Sequence, residues 1–244
     1  MSSVKTLKVK IFADGADLDG MKEMAANPLI AGFTTNPTLM RKAGVRDYKA
    51  FALDVLRAIP DRPVSFEVFA DDFAAMEAQA HEIASWGRNV NVKIPVTNTK
   101  REFAGPLVER LSKAGVAVNV TAVMTLEQVE RITERLHAGT GAIISVFAGR
   151  IADTGVDPVP VMKKAVQIMK AKPRAELIWA SPRELLNVFQ ADAVGCHIIT
   201  ATNDILKKLA LVGKDLGEYS LETVEMFHKD AKAAGFTIAA REAA

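Results

Sequence analysis

Val116-Ala117-Val118-Asn119-Val120-Thr121-Ala122-Val123, then the stretch Leu126 to His137, then Ala142 to Ala148, read as one strand–helix–strand unit. The flanking runs are short, apolar and rich in β-branched residues. The stretch between them has apolar residues three and four apart, at Leu126, Val129, Ile132 and Leu136. Outward from this unit the pattern repeats. Val9 to Ala13, Ala31 to Thr35, Val64 to Ala70 and Asn89 to Val96 precede it, and Glu176 to Ser181 and Cys196 to Ala201 follow it. That makes eight runs, with starts roughly 20–35 residues apart, the length of a strand plus its helix. Phe73 to Trp86 is a second clear amphipathic helix between two of them. Eight unbroken βα repeats predict an α/β fold, the closed parallel (β/α)8 TIM barrel, which takes about 250 residues. The chain has 244. A doubly wound open sheet is the alternative, and at this length it usually has fewer strands.

Residues 1–244 read as a single domain, with the barrel over about 8–211 and a helical extension over 213–244 that contains a helix from Leu221 to Ala234. A barrel does not need that helix, so it packs either across the barrel or onto a neighbouring subunit. Gly32, Gly115, Gly141 and Gly195 sit where left-handed helix C-caps are expected. Asn36-Pro37 and Ser181-Pro182 look like helix starts, with a capping side chain before a proline.

Composition excludes several classes. Thirty-one Lys and Arg against 29 Asp and Glu leave a net charge of +2 with no basic tract, so no nucleic-acid partner is expected. No apolar run approaches the roughly 20 residues a membrane span needs, and Met1-Ser2-Ser3-Val4-Lys5 is not followed by an apolar leader. Cys196 is the only cysteine, which fits the cytoplasm and rules out an internal disulfide. His81, His137, His197 and His228 lack metal-ligand spacing, so no metal site is expected and all four read as structural.

The informative residues are polar ones inside apolar runs. Side chains two apart share a face of a strand. Ser65 and Glu67 pair in this way in run three, Asn119 and Thr121 in run five, and Ser145 and Phe147 in run six. Lys93 lies near the end of run four, Asp14 closes run one, and Thr34, Thr35 and Asn36 close run two. Barrel active sites form at the C-terminal ends of strands, so one lysine, two carboxylates and several hydroxyls and amides converge on one mouth. Two readings stand side by side. A buried lysine between carboxylates is a structural ion pair, or it is an amine nucleophile, since burial disfavours the ammonium.

Gly32-Phe33-Thr34-Thr35-Asn36-Pro37-Thr38-Leu39 and Val92-Lys93-Ile94-Pro95-Val96-Thr97 resemble segments of the transaldolase family, the second being its Schiff-base lysine segment. Asn119-Val120-Thr121, Ser145-Val146-Phe147-Ala148-Gly149-Arg150-Ile151 and Ala180-Ser181-Pro182-Arg183 follow in the family's order, and the length is similar to its short branch, which includes the fructose-6-phosphate aldolases. The resemblance implies a Schiff-base enzyme of carbohydrate metabolism, in the manner of the pentose phosphate pathway, that acts on sugar phosphates without cofactor or metal. It implies Lys93 as nucleophile, Asp14 as acid/base, and Glu67 with Thr121 holding a catalytic water. Thr35, Asn36, Asn119, Ser145 and Phe147 would surround the three-carbon unit, and Arg150, Ser181 and Arg183 the phosphate. It further implies a homo-oligomer, a pentamer or decamer.

Within that family, aldolases tend to carry glutamine where this chain has Glu67 and tyrosine where it has Phe147, which favours a transaldolase over a fructose-6-phosphate aldolase. Val146, Pro182 and Ala201-Thr202 depart from the common pattern near the mouth. A non-catalytic sugar-phosphate-binding barrel is the reading from another class, and the intact Lys93, Asp14 and Glu67 argue against it.

Overall fold

The structure, a computed structural model, describes residues 3–238; the last six residues of the extension lie outside them. Eight parallel strands close in sequence order into a barrel. They are β1 (Lys10–Asp14), β2 (Ile30–Thr34), β3 (Val64–Glu67), β4 (Val90–Pro95), β5 (Val118–Val123), β6 (Ala142–Val146), β7 (Ala175–Trp179) and β8 (Ile198–Thr202). The helices are α1 (Leu18–Ala25), α2 (Pro37–Lys42), α3 (Tyr48–Ala58), α4 (Phe73–Ala84), α5 (Gly105–Lys113), α6 (Leu126–Arg135), α7 (Ala148–Asp153), α8 (Pro158–Met169), α9 (Leu186–Ala193), α10 (Asn203–Leu206) and α11 (Leu216–Ala233). All eight predicted strands are present, with ends shifted by a few residues. No helix is long and apolar enough to cross a membrane among the described residues.

Strand alternation separates two apolar layers. Val92, Ile94, Val118, Val120, Ile144, Leu177, Trp179 and Ile199 face outward and pack under the helices. Inside the barrel, Phe12, Ile143, Ile178 and Ile198 fill the lower end. Three of the next inward positions toward the C-terminal ends are polar, Asp14 above Phe12, Ser145 above Ile143, and Thr200 above Ile198, while Ala180 above Ile178 stays apolar. An apolar plug thus carries a polar mouth. Gly32 is needed for that plug rather than as a helix cap, because a Cβ on it would lie 2.5 Å from the Phe12 ring.

Local chemistry sets the helix starts. Asn36 caps α2, its Oδ1 accepting from the Leu39 N–H at 3.0 Å, with Pro37 in the first turn. Thr125 and Gln128 form a reciprocal capping box on α6. Gly115 and Gly195 take the expected left-handed φ of 84° and 76°. Ser181-Pro182 is a correction: Ser181 is itself left-handed at φ 59°, and the next helix starts only at Leu186. α11 begins five residues earlier than expected and buries none of its residues against the barrel. Among the described residues it does not pack across the barrel.

Candidate active site

Strand register brings the ionisable side chains together. Glu67 pairs with Lys93 across β3 and β4, and Asp14 with Thr34 across β1 and β2. Neighbours in register on a parallel sheet share a face, so each pair projects into the mouth side by side. Lys93 is 6% exposed, so its amine meets only the mouth. Lys93 Nζ stands 3.0 Å from Glu67 Oε2 and donates to the Thr35 carbonyl at 2.8 Å. The ion pair foreseen as one reading of the sequence is present, and the same amine opens into the cavity.

Asp14 Oδ1 accepts from Thr34 Oγ1 at 2.8 Å, and Asn36 Nδ2 donates to Oδ2 at 3.5 Å. Thr34 Oγ1 also lies 2.5 Å from Thr200 Oγ1. A hydroxyl has one proton. With Thr34 donating to Asp14, Thr200 must donate to Thr34, giving a chain that runs from β8 through β2 to the β1 carboxylate. Burial pushes the Asp14 carboxyl above its ordinary value, opposed by the charge of Lys93 and by the hydrogen bonds from Thr34 and Asn36.

The mouth is a cavity of about 520 Å³. Asp14, Asn36, Glu67, Lys93, Thr121, Ser145, Phe147, Arg150, Ser181 and Arg183 all line it. Thr121 Oγ1 is buried and has no hydrogen-bond partner among the described residues. Two predicted residues sit behind the wall. Thr35 spends its hydroxyl on the Ser65 carbonyl at 2.9 Å and reaches Lys93 only through its own carbonyl. Asn119 donates to Ser65 Oγ at 3.1 Å and accepts from Ser145 Oγ at 2.7 Å, which fixes the serine from below.

At the far side, Arg183 Nε donates to Asp153 Oδ1 at 2.8 Å, a second guanidinium nitrogen meets Oδ2, and Nη1 donates to Ser181 Oγ at 3.0 Å. The hydrogen bonds from Arg183 hold the Asp153 carboxyl below its ordinary value. Arg150 has no ion-pair partner among the described residues and stands 5.9 Å from the Phe147 ring centre. Gly149 brings the two arginines together: its Cβ would lie 1.5 Å from the Ser181 carbonyl oxygen, so only glycine lets α7 approach the segment that follows β7 this closely.

A sequence profile described as "Transaldolase/Fructose-6-phosphate aldolase" matches residues 11–239. The chain belongs to the transaldolase/fructose-6-phosphate aldolase family. Among its relatives, a protein named "Probable transaldolase" from Dehalococcoides mccartyi (strain ATCC BAA-2266 / KCTC 15142 / 195) is 36% identical over 203 residues, 82% of this chain and 90% of that one. One of the same name from Thermoanaerobacter sp. (strain X514) is 33% identical over 232 residues, 94% of this chain and all of that one. The fold is shared more widely. A dihydrodipicolinate synthase from Rhodopseudomonas palustris superposes with TM-score 0.60 at 14% identity, covering 94% of this chain and 81% of that one.

Beyond the residues that the resemblance implied, Thr34, Thr200, Lys42 and Ala122 are among those of this family member that line the cavity. Thr34 and Thr200 carry the signal that found the others, a polar residue in an apolar strand. Lys42 ends a short exposed helix and carries no such mark. Ala122 has φ 60° at a register shift between β5 and β6, which no residue type announces.

Proposed function

We propose that this enzyme is a transaldolase that transfers a dihydroxyacetone unit between sugar phosphates through a Schiff base on Lys93. The observation that carries the reading is the Lys93 amine, 3.0 Å from Glu67 and open to a cavity that also holds Asp14.

Glu67 is close enough to take a proton from Lys93, leaving a free amine to attack the C2 carbonyl of a ketose phosphate such as fructose 6-phosphate. Loss of water gives an iminium, with Glu67 and the unpartnered Thr121 hydroxyl as the groups that hold that water. Asp14 takes the C4 hydroxyl proton. The C3–C4 bond breaks, its electron pair enters the iminium, and the three-carbon fragment stays as an enamine while the aldehyde leaves. Attack of the enamine on an acceptor aldehyde, with the proton returned from Asp14, reverses the sequence to give a new ketose. No step calls for a metal or an organic cofactor. Arg150, Arg183 and Ser181 are the donors that would hold the phosphate.

Two features favour transfer over release of dihydroxyacetone. Phe147 presents no hydroxyl to place a protonating water at the enamine, and the β3 carboxylate is Glu rather than Gln. The test is incubation with fructose 6-phosphate, with and without erythrose 4-phosphate. Sedoheptulose 7-phosphate formed only with acceptor is the expected result; free dihydroxyacetone without acceptor means an aldolase instead.

The same proposal makes the enzyme a cytoplasmic homo-oligomer, a pentamer or decamer. Cys196, the single cysteine, is buried and free, which is compatible with a reducing compartment. α11 leaves Leu216, Val224 and Phe227 at least 60% exposed, an apolar surface that a neighbouring copy would cover.

A further inference from the structure

We infer that Tyr48 is a positioning residue for this reaction, holding the Glu67 carboxylate against Lys93 by gripping the Glu67 peptide from outside the barrel. The inference rests on the Schiff-base reading above. Tyr48 is the first residue of α3 and takes no place in the cavity around Lys93. Its hydroxyl donates to the Glu67 carbonyl at 2.9 Å and accepts from the Glu67 N–H at 2.7 Å. One side chain thus satisfies both polar backbone groups of the residue that bears the carboxylate.

The need for this grip follows from the sheet. Alternate residues of a parallel strand turn their peptide groups to opposite neighbours. Val64 N–H bonds the Asn89 carbonyl and Val68 N–H the Lys93 carbonyl, both on the β4 side, while the Ser65 carbonyl accepts from Thr35 on the β2 side. Glu67 therefore turns its N–H and C=O toward β2. The β2–β3 pairing ends at Thr34 and Ser65, so among the described residues Glu67 has no strand partner on that side. The Tyr48 hydroxyl takes that place. Past Val68 the chain leaves the sheet altogether, with the Phe69 and Ala70 N–H groups both donating to Gln79 Oε1 at 2.8 and 2.9 Å. Glu67 is the point where an otherwise half-paired strand end must be held still.

The ring that delivers the hydroxyl is itself fixed. Its centre lies 6.2 Å from that of Phe66 and 5.4 Å from that of Trp86, both edge-on, and 4.6 Å from that of Phe69. Burial pushes the phenol above its ordinary value, so it stays a donor across the working pH range. Released from this hold, the β3 end can shift by fractions of an ångström, and the Glu67 carboxylate shifts with it. Misplacement on the scale of 1 Å costs on the order of 100-fold in rate, so a partial loosening is expected to cost about tenfold.

Tyr48→Phe keeps the ring and removes both hydrogen bonds. The expected result is a kcat about tenfold lower, a KM for fructose 6-phosphate within about twofold of wild type, and an equally slowed formation of the borohydride-trapped adduct. In a Glu67→Gln background the same substitution should change kcat by less than about twofold, because Tyr48 acts only through that carboxylate; a merely structural role lowers kcat equally in both backgrounds. An unchanged kcat and trapping rate in Tyr48→Phe, with adduct formed by the wild type, overturns the role of Tyr48 alone. No adduct in the wild type overturns the Schiff-base reading and this inference with it. If Tyr48→Phe does not fold, amide exchange in the wild-type enzyme decides: slow exchange at the Glu67 N–H is expected, and exchange as fast as in exposed loops overturns the grip.

Discussion

Gly149→Ala is the sharpest single perturbation of the phosphate end of the mouth. The added methyl carbon would sit 1.5 Å from the Ser181 carbonyl oxygen, where ordinary contact begins at 3.4 Å, so backbone must part by about 2 Å. Neither side yields easily. Ser181 already sits at φ 59°, and the Gly149 N–H is bonded to the Ala180 carbonyl at 3.3 Å. Overpacking of this kind costs typically 1–3 kcal/mol. Because two backbones collide, about 3 kcal/mol is expected, a fall in Tm of roughly 6–12 °C for a chain of this size. The same displacement draws Arg150 away from Ser181 and Arg183. Hydrogen bonds to a charged group contribute about 1.5–3 kcal/mol each, so kcat/KM for fructose 6-phosphate should fall about 10–100-fold, whereas turnover of unphosphorylated fructose, already without that contact, should fall far less. Steady-state kinetics on both sugars, with a thermal melt, make the test. An alanine variant with wild-type Tm and an unchanged ratio between the two sugars would refute the claim that this contact builds the phosphate subsite.

Asp14→Asn should lower kcat by at least about 100-fold, the scale of a lost acid/base, and should make the protein more stable at neutral pH. Burial raises the Asp14 carboxyl above its unfolded value, so the folded state binds the proton more tightly and stability falls as pH rises from the unfolded value through the raised one. Asparagine removes that loss, and melts at acid and neutral pH should show the gain only at the higher one. The raised value also moves the acid limb of the pH–rate profile, set by ionised Asp14, above the ordinary carboxylate range. Phe227→Glu on the exposed face of α11 should leave secondary structure intact and shift the mass seen by light scattering toward the monomer.

The fold was legible because period-two apolar runs and helical spacing alternate without a break, and only the ends moved. β3 stops at Glu67 rather than Ala70 because side chains, Tyr48 and Gln79, take over its backbone hydrogen bonds. β6 stops at Val146 because Ala148 already starts a helix. The carboxylates and lysine of the mouth were legible for a physical reason: charged side chains are costly to bury, so at the C-terminal ends of apolar strands they break the apolar pattern. At the end of β2 the alternation places Thr34 inward, against Asp14, and turns the Thr35 hydroxyl to the Ser65 carbonyl. The contributions of Tyr48 and Ala122 depend on where β3 and β5 leave the regular sheet, which residue types do not encode.

The most direct test of the central claim is mass spectrometry after borohydride reduction in the presence of fructose 6-phosphate. A three-carbon adduct on the peptide that contains Lys93, absent from Lys93→Met along with all turnover, is the predicted result. An adduct at another lysine, or a Lys93→Met enzyme that still turns over, contradicts it.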